Sequence, residues 1–355
     1  MTVPVFEKPI TAVSPSSRRQ IFDLYRRPLQ DLRISLIDRC NFRCTYCMPQ
    51  QTAGSYSFLK EKEWLTFAEI ERLVRLFTRL GVTKIRLTGG EPLLRPGLPQ
   101  LIAQLRGIPA IEDLALTTNG SLLAKYADVL KKSGLDRITV SLDALDAGLF
   151  RKMSGQRGNV DCVLEGIAAA EQAGFDNIKI NVVVQKNVND RHILDLVRYL
   201  KGRQPILRFI EYMDVGNCNH WDAREVVSSI EVAELINRHF PIKPVKPNYF
   251  GEVAARYRFL DGSGEIGFIS SITQPFCHSC TRMRLSADGK IYTCLFSAKG
   301  IPLQKWLRQN SSDDELLNIL ATIWQKRSDR YSEQRAELHA KTKNSPKIEM
   351  YQIGG

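Results

Sequence analysis

The stretch LRISLIDRCNFRCTYCMPQ, residues 32–50, begins as a β-strand and ends in three closely spaced cysteines. Its first six residues have the apolar and β-branched composition of a strand. Cys40, Cys44 and Cys47 follow directly, with the spacing C-x3-C-x2-C. A structural metal site or an iron–sulfur cluster normally takes four protein ligands, so this loop lacks one. Three thiolates on a 4Fe–4S cube would leave one iron open for a small molecule to chelate.

Strands of similar composition recur up to about residue 215. The β-rich runs are 32–37, 84–88, 113–118, 137–143, 177–184 and 206–212. Helical patterns separate them, and in the first of these Thr66 and Glu69 predict a capping box, while Gly81 predicts the end of the helix. Strand–helix units repeated in this way predict right-handed crossovers and a parallel sheet.

Charged and hydroxyl residues interrupt these otherwise apolar strands. They are Arg33, Ser35, Arg86, Thr139, Ser141, Lys179 and Arg208. In an open sheet covered on both faces, the hydrogen-bonding and charged groups of these side chains would be hard to pair. In a barrel-like sheet, the side chains can point into a shared cavity. We therefore predict an α/β fold, an incomplete (β/α)6 TIM-like barrel with the cysteine loop at its mouth.

The alternation ends after about residue 220, where glycine-rich, hairpin-like β segments and short helical patterns follow. We predict three parts. They are an N-terminal lead-in segment (1–31), the barrel core (32–219) and a C-terminal α+β extension (220–355) folded across the open barrel.

The composition and net charge limit the classes of protein to which this chain can belong. Hydrophobic residues make up 43% and charged residues 25% of the chain, as in ordinary globular proteins. The net charge of +12 favours a polyanionic partner, but the basic residues are scattered rather than clustered in a tail. No apolar stretch approaches the roughly 20 residues of a membrane span, and no secretory signal is visible. We expect a cytoplasmic protein that does not act at a membrane.

The eight cysteines favour metal ligation over disulfides, because six of them fall into two tight groups. The second group, Cys277, Cys280 and Cys294, has the spacing C-x2-C-x13-C and again stops at three. A zinc site remains an alternative for either group, with His278 or a remote residue as fourth ligand. The other two cysteines match no ligand spacing.

The first cysteine loop, with Tyr46 before its last cysteine, resembles that of the radical S-adenosylmethionine (SAM) enzymes. The TGGEP segment at 88–92, which follows the second strand, agrees with this resemblance. It implies a 4Fe–4S cluster on Cys40, Cys44 and Cys47 whose open iron binds S-adenosylmethionine. It further implies cofactor contacts from Tyr46, Gly90, Ser141 and Met213.

The second group, together with TRMR at 281–284, is similar to a more specific family, the GTP 3′,8-cyclases of molybdenum cofactor biosynthesis. This resemblance runs from about Leu32 to the end of the chain. It implies a lyase with a second 4Fe–4S cluster, on Cys277, Cys280 and Cys294, whose open iron binds the guanine base. It also implies that a 5′-deoxyadenosyl radical takes the 3′ hydrogen of GTP, yielding (8S)-3′,8-cyclo-7,8-dihydro-GTP.

The same resemblance assigns residues to the substrate. The implied GTP contacts are Arg33, Arg86, Thr117, Lys179, Arg282, Met283 and Arg284, and the C-terminal Gly354 and Gly355 are implied to enter the active site. A bound triphosphate would offset the cost of burying Arg33, Arg86 and Lys179 in apolar strands.

Partners follow from the resemblance as well. It implies an electron donor such as a flavodoxin-type protein and hand-off of the product to cyclic pyranopterin monophosphate synthase, and it leaves a homodimer open. DNA and RNA are not expected. Two rivals remain: a peptide-modifying maturase, which would need more C-terminal cysteines, and a zinc or iron–sulfur nucleic-acid-binding protein, which would bind in a salt-dependent way.

Overall fold

A computed structural model describes residues 19–50, 56–309, 311–335, 337 and 347–354. Residues 1–18 of the predicted lead-in segment lie outside this range, and so does Gly355. Within the described residues, no helix is both long and apolar enough to cross a membrane.

One twelve-stranded sheet organises the described chain, in the order β12-β11-β10-β1-β2-β3-β4-β5-β6-β9-β8-β7. Its strands are β1 (Asp31–Ser35), β2 (Lys84–Thr88), β3 (Asp113–Thr118), β4 (Arg137–Ser141), β5 (Lys179–Val184), β6 (Ile206–Glu211), β7 (Ile242–Val245), β8 (Ala255–Phe259), β9 (Glu265–Ile269), β10 (Arg282–Leu285), β11 (Lys290–Tyr292) and β12 (Ile301–Pro302).

Helices connect most of the central strands. They are α1 (Phe67–Arg79), α2 (Leu98–Arg106), α3 (Leu123–Lys132), α4 (Ala147–Met153), α5 (Val160–Gln172), α6 (Ile193–Leu200), α7 (Ser229–His239), α8 (Gln304–Arg308), α9 (Asp313–Gln325) and α10 (Met350–Ile353). The predicted capping box of α1 is confirmed, because the Thr66 side chain accepts a hydrogen bond from the Glu69 backbone N–H. The helix ends at Arg79, just before Gly81, whose φ of +106° favours glycine.

The predicted parallel sheet is confirmed. Strands β1 to β6 lie in chain order, and each pairs in parallel with the next. Leu32, Ile34 and Ile85 are fully buried in the core, whereas the alternate residues Arg33 and Arg86 face the other way. The strands therefore alternate between an apolar face against the helices and a polar face, because side chains of a strand point to opposite sides in turn.

The C-terminal extension continues the same sheet at both of its ends. Strand β10 pairs in parallel with β1, and strand β9 pairs in parallel with β6. Antiparallel partners then complete the two edges, β11 and β12 beside β10, and β8 and β7 beside β9. Residues far apart in the sequence thus become direct neighbours of the central strands.

Candidate active site

A cavity of about 650 Å³ lies on the polar face of the sheet. Its walls carry residues from β1 to β6, from β9 and β10, and from the segment 248–254 that joins β7 to β8. Six of the seven predicted GTP contacts line it: Arg33, Arg86, Thr117, Lys179, Arg282 and Arg284.

The seventh, Met283, does not line the cavity. Its side chain is fully buried in the hydrophobic core, on the opposite face of β10 from Arg282 and Arg284. This follows from strand alternation, since every second side chain points the other way. The Met283 side chain therefore does not reach the cavity, and a contact between Met283 and GTP stays a prediction.

Pairing register brings three arginines side by side. Arg33 lies opposite Arg284 of β10 and opposite Arg86 of β2. One guanidinium nitrogen of Arg86 donates to the hydroxyls of Thr117 and Thr139, both at 3.1 Å. Because neighbouring strands lie about 4.8 Å apart, the three arginine positions form one row across adjacent strands.

The cavity is unfavourable for these positive charges when it is empty of anions. Burial, followed by the charges of Arg284, Arg282 and Arg86, lowers the pKa of the Arg33 guanidinium. Burial, together with Arg208 and other neighbouring arginines, likewise lowers the pKa of the Lys179 ammonium to about 7. Both shifts have the sign expected of desolvated like charges, and a bound polyanion would relieve both.

Several cavity residues were not assigned to the substrate by sequence reasoning. They are Lys84, Arg137, Arg208, Tyr249, Glu252, Arg256 and Arg327. Arg208 already stood out as a charge within a strand, and this signal alone could have identified it. Tyr249 and Glu252 belong to a loop without periodicity, so only the three-dimensional structure brings them to the cavity.

The first cysteine group forms a compact loop after β1. The thiol of Cys40 accepts hydrogen bonds from the Phe42 backbone N–H at 3.4 Å and from the Asn119 side-chain amide at 3.7 Å. Burial raises the pKa of the Cys44 thiol, and the charges of Cys40 and Cys47 raise it further. The three thiols are thus close enough to interact, and their donor chemistry fits an iron–sulfur cluster.

Glycines allow this loop to pack tightly. The Gly90 N–H donates to the Ile37 carbonyl at 2.6 Å, and a Cβ at Gly90 would lie 2.2 Å from the carbonyl oxygen of Arg39. A Cβ at Gly155 would lie 2.1 Å from the carbonyl oxygen of Arg43. Only glycine fits at either position, so the TGGEP turn and the cysteine loop form one rigid unit.

The remaining cofactor-contact predictions lie around this loop. The Tyr46 hydroxyl donates to Asp143 at 2.8 Å. The Asn219 side-chain amide donates to the carbonyls of both Tyr46 and Met213, each at 3.3 Å, and Met213 also lines the cavity. Ser141 ends β4, at the level of Asn181 on β5. Asn219 therefore links the cysteine loop to the cavity wall.

The second cysteine group lies on the cavity wall itself, with Cys277, Cys280 and Cys294 all exposed to the cavity. Burial raises the pKa of Cys294 to about 12. At Cys280 burial acts in the same direction, but Arg282 and Arg327 outweigh it and lower the pKa to about 6. The two arginines thus favour the thiolate form of Cys280, the form that ligates iron.

Neither group has the geometry of a site for one ion. Within the described part of the chain, no set of three or more His, Cys, Asp or Glu residues is arranged to hold a single metal ion.

The C-terminal tail reaches the row of arginines. Ile353 is fully buried, and a guanidinium nitrogen of Arg284 donates to the Gly354 carbonyl. Further back, the Glu349 carboxylate accepts hydrogen bonds from the Asn217 N–H at 2.9 Å and from the Cys218 thiol at 2.8 Å. The tail is therefore fixed at two points beside the cavity, and Gly355 continues it outside the described residues.

Comparison with known families gives two adjacent matches. The model described as "Radical SAM superfamily" matches residues 34–200, and the model described as "Molybdenum Cofactor Synthesis C" matches residues 206–333. Together they cover the first cysteine loop and the second cysteine group.

Curated relatives match over nearly the whole chain. A GTP 3′,8-cyclase of Xanthomonas campestris pv. campestris (strain B100) is 53% identical over 333 residues, which are 94% of this chain and 97% of the relative. A GTP 3′,8-cyclase of Staphylococcus haemolyticus (strain JCSC1435) is 48% identical over 338 residues, 95% of this chain and 99% of the relative.

Among solved structures, Streptococcus suis SuiB bound to S-adenosylmethionine has a similar fold. The TM-score is 0.58 and the sequence identity 17%, and the match covers 84% of this chain and 67% of that chain. At this identity the likeness concerns the fold alone.

A substitution at Gly354 tests how the tail is held. A Cβ there would lie 2.2 Å from the Thr88 methyl group, and the φ of +67° adds backbone strain. We expect Gly354→Ala to displace the tail and to accelerate hydrogen exchange of the amides of 350–353 roughly tenfold or more.

The matched control is Gly202→Ala, because Gly202 has a similar φ of +79° but, apart from its chain neighbours, no atom of the described residues lies within 4 Å of the added Cβ. This variant carries backbone strain without a clash and leaves tail exchange unchanged. Equal exchange in wild type and Gly354→Ala would contradict the described packing of the tail.

Proposed function

This chain belongs to the radical SAM superfamily and, within it, to the GTP 3′,8-cyclases of molybdenum cofactor biosynthesis, and on that premise we propose the role of each part of its site. The enzyme is a radical SAM lyase that acts on GTP. When bound, the iron–sulfur clusters and S-adenosylmethionine would supply the radical chemistry that converts GTP into (8S)-3′,8-cyclo-7,8-dihydro-GTP, with electrons from an external donor such as a flavodoxin-type protein.

One observation carries the assignment of residues. A single cavity contains six of the predicted GTP contacts and all three cysteines of the second group. The row formed by Arg33, Arg86 and Arg284, with Lys179 nearby, compensates the charges of the triphosphate. Arginine suits this task because its planar fork donates paired hydrogen bonds to phosphate oxygens.

Each cysteine group would hold one 4Fe–4S cluster. Cys40, Cys44 and Cys47 would hold the cluster that binds S-adenosylmethionine, with Tyr46, Gly90, Ser141 and Met213 as cofactor contacts. Cys277, Cys280 and Cys294 would hold the second cluster, which would bind the guanine base of GTP. Support comes from the close packing of the first three thiols and from the position of the second three on the cavity wall.

The protein orients GTP and keeps competing hydrogen donors away from the radical. Segment 248–254 contributes to the cavity wall from the side of β7 and β8, and the tail lies beside the cavity, where Arg284 donates to the Gly354 carbonyl. Exclusion of bulk solvent would also exclude dissolved hydrogen donors such as thiols, and the ion pairs inside gain strength in a drier medium. Gly354, followed by Gly355, lets the tail approach the reacting atoms without a side chain.

We also propose that the sheet is an incomplete (β/α)6 barrel, with boundaries after residues 31 and 219. Strands β1 and β9 lie in different halves of the sheet, yet both contribute residues to the same cavity. The extension 220–355 would then fill the gap of the barrel with β9 and β10.

Replacing Cys40 with alanine removes one of the three ligands of the first cluster. We expect the Cys40→Ala variant to lose S-adenosylmethionine cleavage, measured as 5′-deoxyadenosine formed under reducing, air-free conditions. Cys162→Ala serves as the control, because Cys162 belongs to neither group. Wild-type cleavage by Cys40→Ala would refute the assignment of the first cluster.

Replacing Arg284 separates substrate handling from cofactor cleavage. We expect Arg284→Met to keep forming 5′-deoxyadenosine while the cyclised product falls roughly tenfold or more, since a charge-assisted hydrogen bond is worth about 1.5–3 kcal/mol. Arg198→Met removes a positive charge from the outer surface, where Arg198 pairs with Asp195, and should not change either product. Normal cyclisation by Arg284→Met would refute the role given to the arginine row.

The low pKa of Lys179 predicts proton uptake on binding. At pH 8 an ammonium with a pKa of about 7 is mostly neutral in the free protein. Nearby phosphates favour its charged form, so we expect GTP to bind with uptake of roughly 0.9 proton at pH 8 and roughly 0.1 at pH 6. Calorimetry in buffers of different ionisation enthalpy measures this, in the absence of S-adenosylmethionine and reductant.

Lys179→Arg is the matched variant, since arginine stays charged at pH 8. It should bind GTP without the additional proton uptake. Equal uptake by both proteins would mean that another group takes up the proton.

A further inference from the structure

A buried ionic cluster lies behind the second cysteine group. It consists of Asp23 and Arg27, from the segment before β1, and Arg327, which follows α9. The side chains of all three are at most 2% exposed. Burying three charges is costly, so such a cluster needs many compensating hydrogen bonds.

Asp23 organises the cluster. One of its oxygens accepts the backbone N–H groups of Tyr25 and Arg27, each at 2.9 Å. The other lies 2.5 Å from Nε of Arg27 and 3.7 Å from Nη1 of Arg327. The carboxylate thus fixes both a turn of the backbone and the positions of two guanidinium groups.

Both arginines point from this carboxylate to the cysteines. Arg27 donates to the Cys277 carbonyl at 2.7 Å. Arg327 donates to the Cys280 carbonyl at 2.9 Å and, through its other terminal nitrogen, to the Cys280 sulfur at 3.2 Å. The guanidinium carbon of Arg327 also lies over the Trp324 ring, 4.6 Å from the ring centroid.

The contact with sulfur decides what the cluster can do. Hydrogen bonds to ligating sulfurs and nearby positive charge stabilise the more negative, reduced form of an iron–sulfur cluster, and this raises its reduction potential. One terminal nitrogen of Arg27, Nη2, is also buried and has no hydrogen-bond partner among the residues that the structure describes. This nitrogen provides a further unused positive donor next to the same site.

We propose that Arg327, held in place by Asp23 and Arg27, is a positioning residue that donates N–H···S to Cys280 and thereby raises the reduction potential of the second cluster. The proposal rests on the assignment of a second cluster to Cys277, Cys280 and Cys294. It gives the segment before β1 a role in the active site, although none of its described residues 19–30 lines the cavity.

The test uses the full chain with Cys40, Cys44 and Cys47 replaced by alanine, so that only the second cluster remains. Iron and sulfide are determined after air-free reconstitution, and the potential follows from a redox titration monitored by electron paramagnetic resonance without GTP. If this chain binds no cluster, the assignment of the second cluster fails, and the present inference fails with it for that reason.

With the cluster present, Arg327→Met should shift the ratio of reduced to oxidised cluster at least tenfold toward the oxidised form at a fixed potential, which is about 59 mV for one electron. Arg327→Lys keeps the positive charge but not the forked guanidinium group. Its ratio of reduced to oxidised cluster should lie between the ratios of the unchanged Arg327 protein and of Arg327→Met. Lys326→Met is the matched control, because it removes a neighbouring positive charge from an exposed position. Equal potentials for Arg327→Met and Lys326→Met overturn the proposal.

Two further variants keep the test decisive. If Arg327→Met retains no iron, Arg327→Lys decides, because a wild-type potential in that variant overturns the proposal and a lower one supports it. Asp23→Asn distinguishes the role of Asp23 in positioning Arg327 from the direct effect of its negative charge on the reduction potential. Removing a negative charge alone would raise the potential, whereas loss of the anchor for Arg327 lowers it, so a raised potential contradicts the positioning role.

Discussion

Arg33, Arg86 and Arg284 lie directly opposite one another on three adjacent strands. Like charges in such positions repel each other, so this arrangement is unfavourable by itself. Their register is held from the other face of the sheet, where Leu32 pairs with both Met283 and Ile85 in the core. A slip by one residue would move each arginine into that core. The apolar face therefore keeps the positive row in place, and the remaining repulsion is available to favour binding of a polyanion.

The same row of arginines lies between the C-terminal tail and the second cysteine group. Arg284 contacts the carbonyl of Gly354 in the tail, and its neighbours on β10 lead to Thr281 and Cys280. Thr281 accepts the backbone N–H groups of Gln30 and Asp31 through its carbonyl, both at 3.1 Å. A displacement of β10 would thus disturb the arginines of the cavity, the tail and the second cysteine group together, because all of them belong to this strand, contact it or lie next to it in the sequence.

Local patterns predicted the central sheet well, since alternation of strands and helices, the capping box at Thr66 and the glycine at 81 all act over a few residues. They could not predict that β9 and β10 join opposite halves of the sheet, because these pairings depend on distant contacts, between Asp31 and Arg282 for β10 and between Leu207 and Ile266 for β9. The cysteine groups were visible from spacing alone. The motif could not show that the Met283 side chain lies in the core, because a motif groups adjacent residues, whereas a strand directs their side chains to opposite faces.

The environment of the second cysteine group shows where sequence reasoning ends. Asp23 and Arg327 lie 304 positions apart, and neither has a neighbour in the sequence that signals metal chemistry. Each alone would be read as a solvated charge. Their burial is acceptable only when β10 has paired with β1 and the end of α9 has packed against the segment before β1, since Trp324 donates to the Arg27 carbonyl there. The surroundings of this site are therefore a product of the completed fold, and the thiol spacing alone determines only where a cluster can be held.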